Sequence, residues 1–231
     1  MKPVPKIRPF VPSCGRLPRV LRWILYHWIA VPALTILDYV LFGLRIEGRS
    51  NLAVVKNRGA ILVCNHIHYL DCTMIGCAAA PRQVFFASMQ ENFKLPVAGW
   101  FVRNLGCVSV GATLNDKRTF CQSIYSLLKQ NKWVMIYPEG EMKLYGQGVR
   151  PFKPGAFHLA AQAGCPVVPL ALIQRKPNGF WRLWKKRPLL TLVIGPPVNP
   201  QPAYSVKKKA QDLQERVETL YQDWFRSSLI T

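Results

Sequence analysis

Acidic residues are what this chain has least of: 11 Asp and Glu stand against 31 Lys and Arg, for a formal net charge of +20 over 231 residues. A charge of that size calls for an anionic partner, whether nucleic acid, a phospholipid surface or a phosphorylated substrate. The seven cysteines include no Cys-x-x-Cys pair, which removes the usual sequence signatures of zinc and disulfide chemistry. An odd number of thiols, mostly in apolar runs, reads as buried cysteines of a reducing compartment. There are no internal repeats. No small-residue cleavage site follows the long apolar stretch near the N-terminus, so a cleaved signal peptide is not expected. With half of its residues apolar, seven Trp and 19 Pro, the chain is no disordered basic tail. Its length suits one domain with a substantial core.

Residues 1–22 are basic and proline-rich, carrying Lys2, Lys6, Arg8, Arg16, Arg19 and Arg22. The apolar run 23–44 follows, and as one helix it would be ~33 Å long, enough to cross a bilayer. Pro32, His27 and Asp38 interrupt it. The pattern predicts two short helices broken near Val31-Pro32, dipping into one leaflet with the basic segment on the headgroups. A single span with a cytoplasmic N-terminus is the alternative, and a soluble core helix is the plainest one.

Beyond this segment (1–45), residues 46–231 alternate strand and helix signals. Stretch 45–58 reads as an extended strand and turn. Strands are expected at 59–63, 83–87, 107–110, 133–137 and 166–170, and helices at 72–80, 93–105, 116–130, 154–163 and 206–224. Gly164 marks a helix stop. The alternation predicts an α/β domain with a mainly parallel sheet and helices on both faces. The segment 180–187 interleaves aromatic and basic residues, as suits a headgroup interface, and single-stranded nucleic acid would also accept it.

The strand at 59–63 leads into Cys64-Asn65-His66, which places His66 at a carboxyl-terminal rim, where open α/β sheets bind ligands. Four residues separate it from Asp71, at the start of a helix. From there a carboxylate can hold one ring nitrogen and leave the other free to take a proton. Alone, such a spacing is more often structural than catalytic. A second apolar strand, however, ends in Tyr137-Pro138-Glu139-Gly140 and offers a carboxylate at the same kind of rim. Arg150-Pro151-Phe152-Lys153-Pro154-Gly155-Ala156 and Val168-Pro169-Leu170 follow. His68 shares the face of His66 on an extended chain, with no carboxylate at the matching distance. His158 on its helix reads as a packed or surface histidine. A hydrolase using Cys64 or Cys72 beside His66 is a further reading.

In order and spacing, these blocks over roughly residues 46–200 resemble the membrane-bound glycerolipid acyltransferases of the 1-acylglycerol-3-phosphate acyltransferase type. Asn65, His66 and Asp71 match that family's opening motif, Tyr137–Gly140 its Phe-Pro-Glu-Gly block, 152–156 its Phe-Lys-x-Gly-Ala segment, and 168–170 its Val-Pro strand. The resemblance implies acyl transfer from a thioester to a lysophospholipid hydroxyl, most naturally 1-acylglycerol-3-phosphate giving phosphatidic acid. His66 is the implied base and Asp71 its orienting partner. Asn65, Glu139, Gly140, Lys143, Arg150 and Lys153 are the implied substrate-binding set. Backbone N–H groups near Asn65–His66 or at Gly140 would serve the oxyanion. Acyl-CoA or acyl-carrier protein would be the donor, with no cofactor or metal required. The expected partners are a phospholipid membrane surface and the two substrates rather than nucleic acid, at a cell membrane with the site on its cytoplasmic side. The chain departs from the family where it usually carries two phosphate-binding arginines, which here are Met142 and Ala112. Lys117, Arg118, Lys143, Arg150 and Lys153 are candidate replacements, with Arg150 foremost. A protein that only binds anionic lipid, having lost activity with those arginines, is the non-enzymatic alternative.

Overall fold

A computed structural model describes residues 18–96, 98–104, 106–111 and 113–228; most of the basic N-terminal segment, and Ala112, lie outside the described residues. Among the described residues, β1 (Arg45–Glu47), β2 (Ala60–Cys64), β3 (Val84–Met89), β4 (Cys107–Val110), β5 (Trp133–Ile136), β6 (Val167–Arg175) and β7 (Leu189–Ile194) form one sheet. Its order is β1-β7-β6-β2-β5-β3-β4. Every neighbouring pair is parallel except β6 and β7. The helices are α1 (Arg19–Ile24), α2 (Val31–Phe42), α3 (Ser50–Ala53), α4 (Asp71–Ala79), α5 (Ala98–Asn104), α6 (Leu114–Lys129), α7 (Gly155–Ala163) and α8 (Val206–Ser228).

Strand β2 is central and buried at every position, so its continuous apolar run belongs to a strand covered on both faces. Period-two alternation divides it. Ile61 and Val63 pack with Ile124 of α6, Phe157 of α7 and Leu213, Val217 and Tyr221 of α8. Ala60, Leu62 and Cys64 pack with Leu52 of α3, Met74 and Ile75 of α4 and Phe42 of α2. The fold is the expected mainly parallel sheet between helical layers. Local chemistry sets several helix ends. Thr113 and Asp116 form a reciprocal capping box at the start of α6, and Gly164 closes α7 in the left-handed region at φ 67°, where a Cβ would be penalised.

Three expectations differ from what is observed. The helix expected over 93–105 is split into a 3-10 turn, Gln90–Lys94, and α5, with Leu95 extended between them at ψ 137°. Pro96 forces the residue before it out of the helical region. In the stretch 45–58, only β1 is extended, and the helical turn α3 follows it. The break at Val31-Pro32 is absent: residues 19–42 run as continuous helix, with a π-helical turn over Leu25–Ala30 directly before Pro32. Proline cannot donate to the carbonyl one turn back and its ring crowds that carbonyl; the wider turn accommodates both without a break.

The N-terminal helix lies lengthwise against α4. His27 Nε2 meets Pro81 O at 2.8 Å, Cys77 Sγ meets Val31 O at 3.7 Å, Thr73 Oγ1 meets Asp38 Oδ1 at 2.8 Å, and the Phe42 and His68 rings are 4.7 Å apart. The opposite face exposes Val20, Trp23, Ile24, Trp28, Ile29, Ile36, Tyr39 and Val40. The segment Leu25–Phe42 is long and apolar enough to cross a membrane, yet only 17% of it is buried in the protein.

Asp38 is fully buried in this contact. Burial, which outweighs the Thr73 hydrogen bond, pushes its carboxyl up from the ordinary 3.8 to about 6. The folded state therefore holds this proton more tightly than the unfolded chain does. Stability should fall by about 3 kcal/mol as pH rises from about 4 through about 6, then level off. Asp38→Asn should remove that slope, as thermal melts of both proteins across this pH range would show.

Candidate active site

Strands β2 and β5 are parallel neighbours, so both deliver their following residues to one rim. After β2 the chain turns through Asn65, His66, Ile67 and His68, and Asp71 opens α4. One oxygen of Asp71, Oδ2, accepts from His66 Nδ1 at 2.9 Å, from Ile67 N at 2.8 Å and from His68 N at 3.0 Å. The carboxylate is completely buried at a helix N-terminus, where negative charge is favoured. A carboxylate only accepts, so His66 Nδ1 carries the proton and Nε2 presents its lone pair. The His66 side chain is 25% exposed, and Nε2 has no hydrogen-bond partner among the described residues. Tyr137, the first residue after β5, stacks on the imidazole with centroids 4.0 Å apart and planes 13° from parallel. The ring is thus oriented at one nitrogen, held flat on one face and open at the other nitrogen.

A second layer fixes the backbone of His66. Glu139 Oε2 accepts from His66 N at 3.1 Å and is ion-paired to Arg150 Nη2. Arg150 Nη2 also reaches His66 O at 3.3 Å and Glu141 O at 2.8 Å. Lys143 N donates to His66 O at 3.0 Å and Tyr145 N to Ile67 O at 2.8 Å. The loop after β5 therefore lies along the His66 turn and holds it by main chain and side chain together.

Several of the implied roles change in this light. Asn65, implied as a substrate contact, is 1% exposed. Its amide is used on β6, accepting from Leu172 N at 2.7 Å and donating to Leu172 O at 2.9 Å. It joins β2 to β6 beyond the last regular pair. Asn65→Ala should leave both Leu172 groups unpaired and cost about 3 kcal/mol in denaturant melts, with acceptor KM unchanged. Glu139 is buried, with its Oε2 engaged by His66 N and Arg150, an arrangement that can hold the His66 turn. Arg150 faces Glu139 and Glu141, and its charge is already matched. The backbone donors expected to serve an oxyanion are occupied: His66 N by Glu139, Ile67 N and His68 N by Asp71, and Gly140 N by Tyr137 O at 3.1 Å. Gly140, at φ 77°, lies beneath the Lys153 side chain, which an added Cβ would displace. Lys143 and Lys153 are exposed at the rim. Lys117 and Arg118 sit exposed on α6, beside the edge strand β4, three strands or roughly 14 Å across the sheet from β2.

The thiol readings weaken for a physical reason. Burial pushes the Cys64 thiol well above its ordinary range, and burial, with Asp71 and Asp38 adding to it, pushes Cys72 up to about 11. Neither supplies a thiolate at neutral pH. Among the described residues, no three His, Cys, Asp or Glu side chains gather as a metal-binding group.

Tyr137 is a positioning residue that the sequence alone does not single out. Tyr137→Phe should preserve the stack and most activity, whereas Tyr137→Ala should free the ring and lower kcat about tenfold in a steady-state assay.

A histidine base, oriented by a buried carboxylate at the carboxyl rim of a mostly parallel sheet, marks the site as one that draws a proton from a nucleophile. The sequence pattern of the family described as Acyltransferase matches residues 43–173, more than half of the chain, and the chain belongs to that family. It is 31% identical over 150 residues to a chloroplastic 1-acyl-sn-glycerol-3-phosphate acyltransferase of Brassica napus, covering 64% of this chain and 42% of that one. It is 27% identical to a lyso-ornithine lipid O-acyltransferase of Pseudomonas aeruginosa, covering 58% of this chain and 49% of that one. The chain thus spans about half the length of these curated relatives. In fold it is similar to the crystal structure of the 1-acyl-sn-glycerophosphate acyltransferase PlsC of Thermotoga maritima, with a TM-score of 0.59 over 89% of this chain and 83% of that one, at 23% identity.

Proposed function

We propose that this protein transfers a fatty acyl group from a thioester to the free hydroxyl of a lysophospholipid, with 1-acylglycerol-3-phosphate as acceptor and phosphatidic acid as product. The observation that carries the reading is the His66–Asp71 pair with Nε2 open. His66 Nε2 takes the hydroxyl proton as the alcohol oxygen attacks the thioester carbonyl, and Asp71 steadies the imidazolium that forms. The tetrahedral intermediate collapses with loss of the thiolate, which takes up the proton. The thioester is already activated, so no acyl-enzyme is needed. Acyl-CoA and acyl-carrier protein both satisfy this chemistry as donor. The chloroplastic relative's named activity supports the phosphate-bearing acceptor, and the lyso-ornithine relative defines the phosphate-free alternative.

The exposed apolar face of the N-terminal helix supports a site at a bilayer surface. Its inner face is engaged along α4 from His27 to Phe42, so an upright span would carry the domain face into the lipid with it. Lying in one leaflet exposes only the apolar outer face to acyl chains. Trp28→Glu with Ile36→Glu should lower partitioning onto anionic vesicles at least tenfold in co-sedimentation, leaving the fold intact because both side chains are exposed.

The decisive experiment offers purified protein a labelled acyl thioester and a panel of lyso-acceptors, and identifies products by mass spectrometry. Phosphatidic acid, with stoichiometric thiol release, is the expected result. Thioester consumption without an acylated lipid, or no consumption with any acceptor, overturns the reading.

A further inference from the structure

We propose that Arg187, laid over Tyr145 beside His68, anchors the phosphate monoester of the acceptor. The proposal rests on the acyl-transfer reading above and names the group that orients the lysolipid in that site.

The first argument is a balance of charge. Position 142 carries a methionine and position 112 an alanine, so neither offers a cation. Arg150 stands between Glu139 and Glu141, one positive charge against two negative ones. A phosphate dianion placed there would meet an excess of like charge. Arg187, in contrast, is exposed and has no carboxylate within ion-pairing distance among the described residues.

The second argument is orientation. The Arg187 guanidinium lies 5.2 Å from the Tyr145 ring centroid, and the Tyr145 ring lies 5.6 Å from that of His68. Tyr145 flanks the guanidinium on this side, and the N–H fork, with no carboxylate partner among the described residues, can bind two phosphate oxygens at once. Tyr145 is held firmly for this purpose. It adopts φ 51°, uncommon for a bulky residue, and its carbonyl accepts from Gln174 Nε2 at 3.0 Å while its N–H is bound to Ile67 O at 2.8 Å. A costly backbone conformation fixed from two sides suggests a side chain that must point one way.

The third argument is proximity to the base. His68 N shares Asp71 Oδ2 with His66 Nδ1, so the His68 main chain and the His66 ring meet at one oxygen. His68 Nδ1 accepts from Leu70 N at 3.1 Å, which leaves its Nε2–H as a neutral donor. Burial, chiefly, holds this imidazole below its ordinary range, and Arg187 adds to the effect. Asp71 Oδ2 thus joins the His66 ring to the main chain of His68, whose ring meets Tyr145 and, through it, Arg187. In 1-acylglycerol-3-phosphate only a few bonds separate the free hydroxyl from the phosphorus.

Lys143, beside the His66 turn, and Lys153, over Gly140, are the competing cations on the β5 side. The test compares wild type with Arg187→Ala, Arg187→Lys, Lys143→Ala, Lys153→Ala and, as an equal loss of charge on α8, Lys207→Ala. Two readouts are taken: steady-state kinetics with lysophosphatidate and with monoacylglycerol, and equilibrium binding to non-ionic micelles doped with either lipid. Arg187→Ala should lower kcat/KM and binding for lysophosphatidate about ten- to a hundredfold, with thioester KM and monoacylglycerol behaviour unchanged. Arg187→Lys should recover part of the loss, and Lys207→Ala should show none. Equal effects from Arg187→Ala and Lys207→Ala, or a loss carried by Lys143→Ala or Lys153→Ala instead, overturn the proposal. If the wild type transfers no acyl group, the acyl-transfer reading fails by itself. The micelle binding then decides the question: selective loss of lysophosphatidate in Arg187→Ala supports the anchor, and its retention overturns it.

Discussion

Replacing His66 with alanine is expected to lower kcat for acyl transfer by roughly a hundred- to ten-thousandfold, with the protein still folded and still bound to vesicles. The expectation follows from what the side chain touches. It leans on Tyr137 and donates to Asp71, and its open nitrogen is the part that would meet the acceptor in the proposed reaction. Its loss leaves Asp71 still accepting from Ile67 N and His68 N, so no buried charge is stranded and the stability cost should stay near 1 kcal/mol. The change should therefore appear in the chemical step and not in thermal melts or membrane binding. Product formation by mass spectrometry, normalised to folded protein, reads it directly. Wild-type turnover surviving the substitution would show that another group removes the proton, and the thiols Cys64 and Cys72 are poor substitutes because burial holds both protonated.

The pair His66 and Asp71 is legible in the sequence because it is local. Five positions join them, and the strand before and the helix after are written in short-range patterns: a fully apolar run for β2 and a turn into α4. The layer around the pair is not legible to the same degree. Glu139 can be placed at a rim from its strand. That its carboxylate is consumed by His66 N and Arg150 depends on β5 lying next to β2, which no local pattern states. Asn65 shows the same limit from the other side. Its motif position suggests a ligand contact, yet β6 runs alongside and takes both ends of its amide. Strand β7 is missing from the sequence expectations although Pro188 and Gly195-Pro196 bracket an apolar run, a signal that was available. Its antiparallel pairing with β6 depends on the fold as a whole. The interleaved aromatic and basic run at 180–187 reads, by composition, only as an interface. Tyr145 and His68 come from distant parts of the chain, and only in the folded protein do they gather with Arg187 in one cluster.

Asp71 separates charge from architecture, and two substitutions there should give different outcomes. Its Oδ2 serves three donors while Oδ1 is buried with no partner. An asparagine side chain could keep its carbonyl oxygen where Oδ2 now lies, so Asp71→Asn should retain the two main-chain bonds that shape the turn. What it removes is the negative charge that steadies the imidazolium and the strong preference for a proton on Nδ1. The amide NH2 would occupy the unpartnered pocket, buried without an acceptor, at a cost of about 1–3 kcal/mol. A fall in kcat of roughly a hundred- to ten-thousandfold, in a protein that still melts cooperatively, is the expected result. Asp71→Ala should lose the same catalysis and also strand Ile67 N, His68 N and the imidazole N–H, destabilising the fold by about 3–5 kcal/mol and loosening the turn that carries both histidines. The comparison rests on kcat and thermal stability measured together for the two variants. Should Asp71→Asn remain as active as wild type, the carboxylate would be a hydrogen-bond scaffold alone, and His66 would draw its basicity from elsewhere in the site.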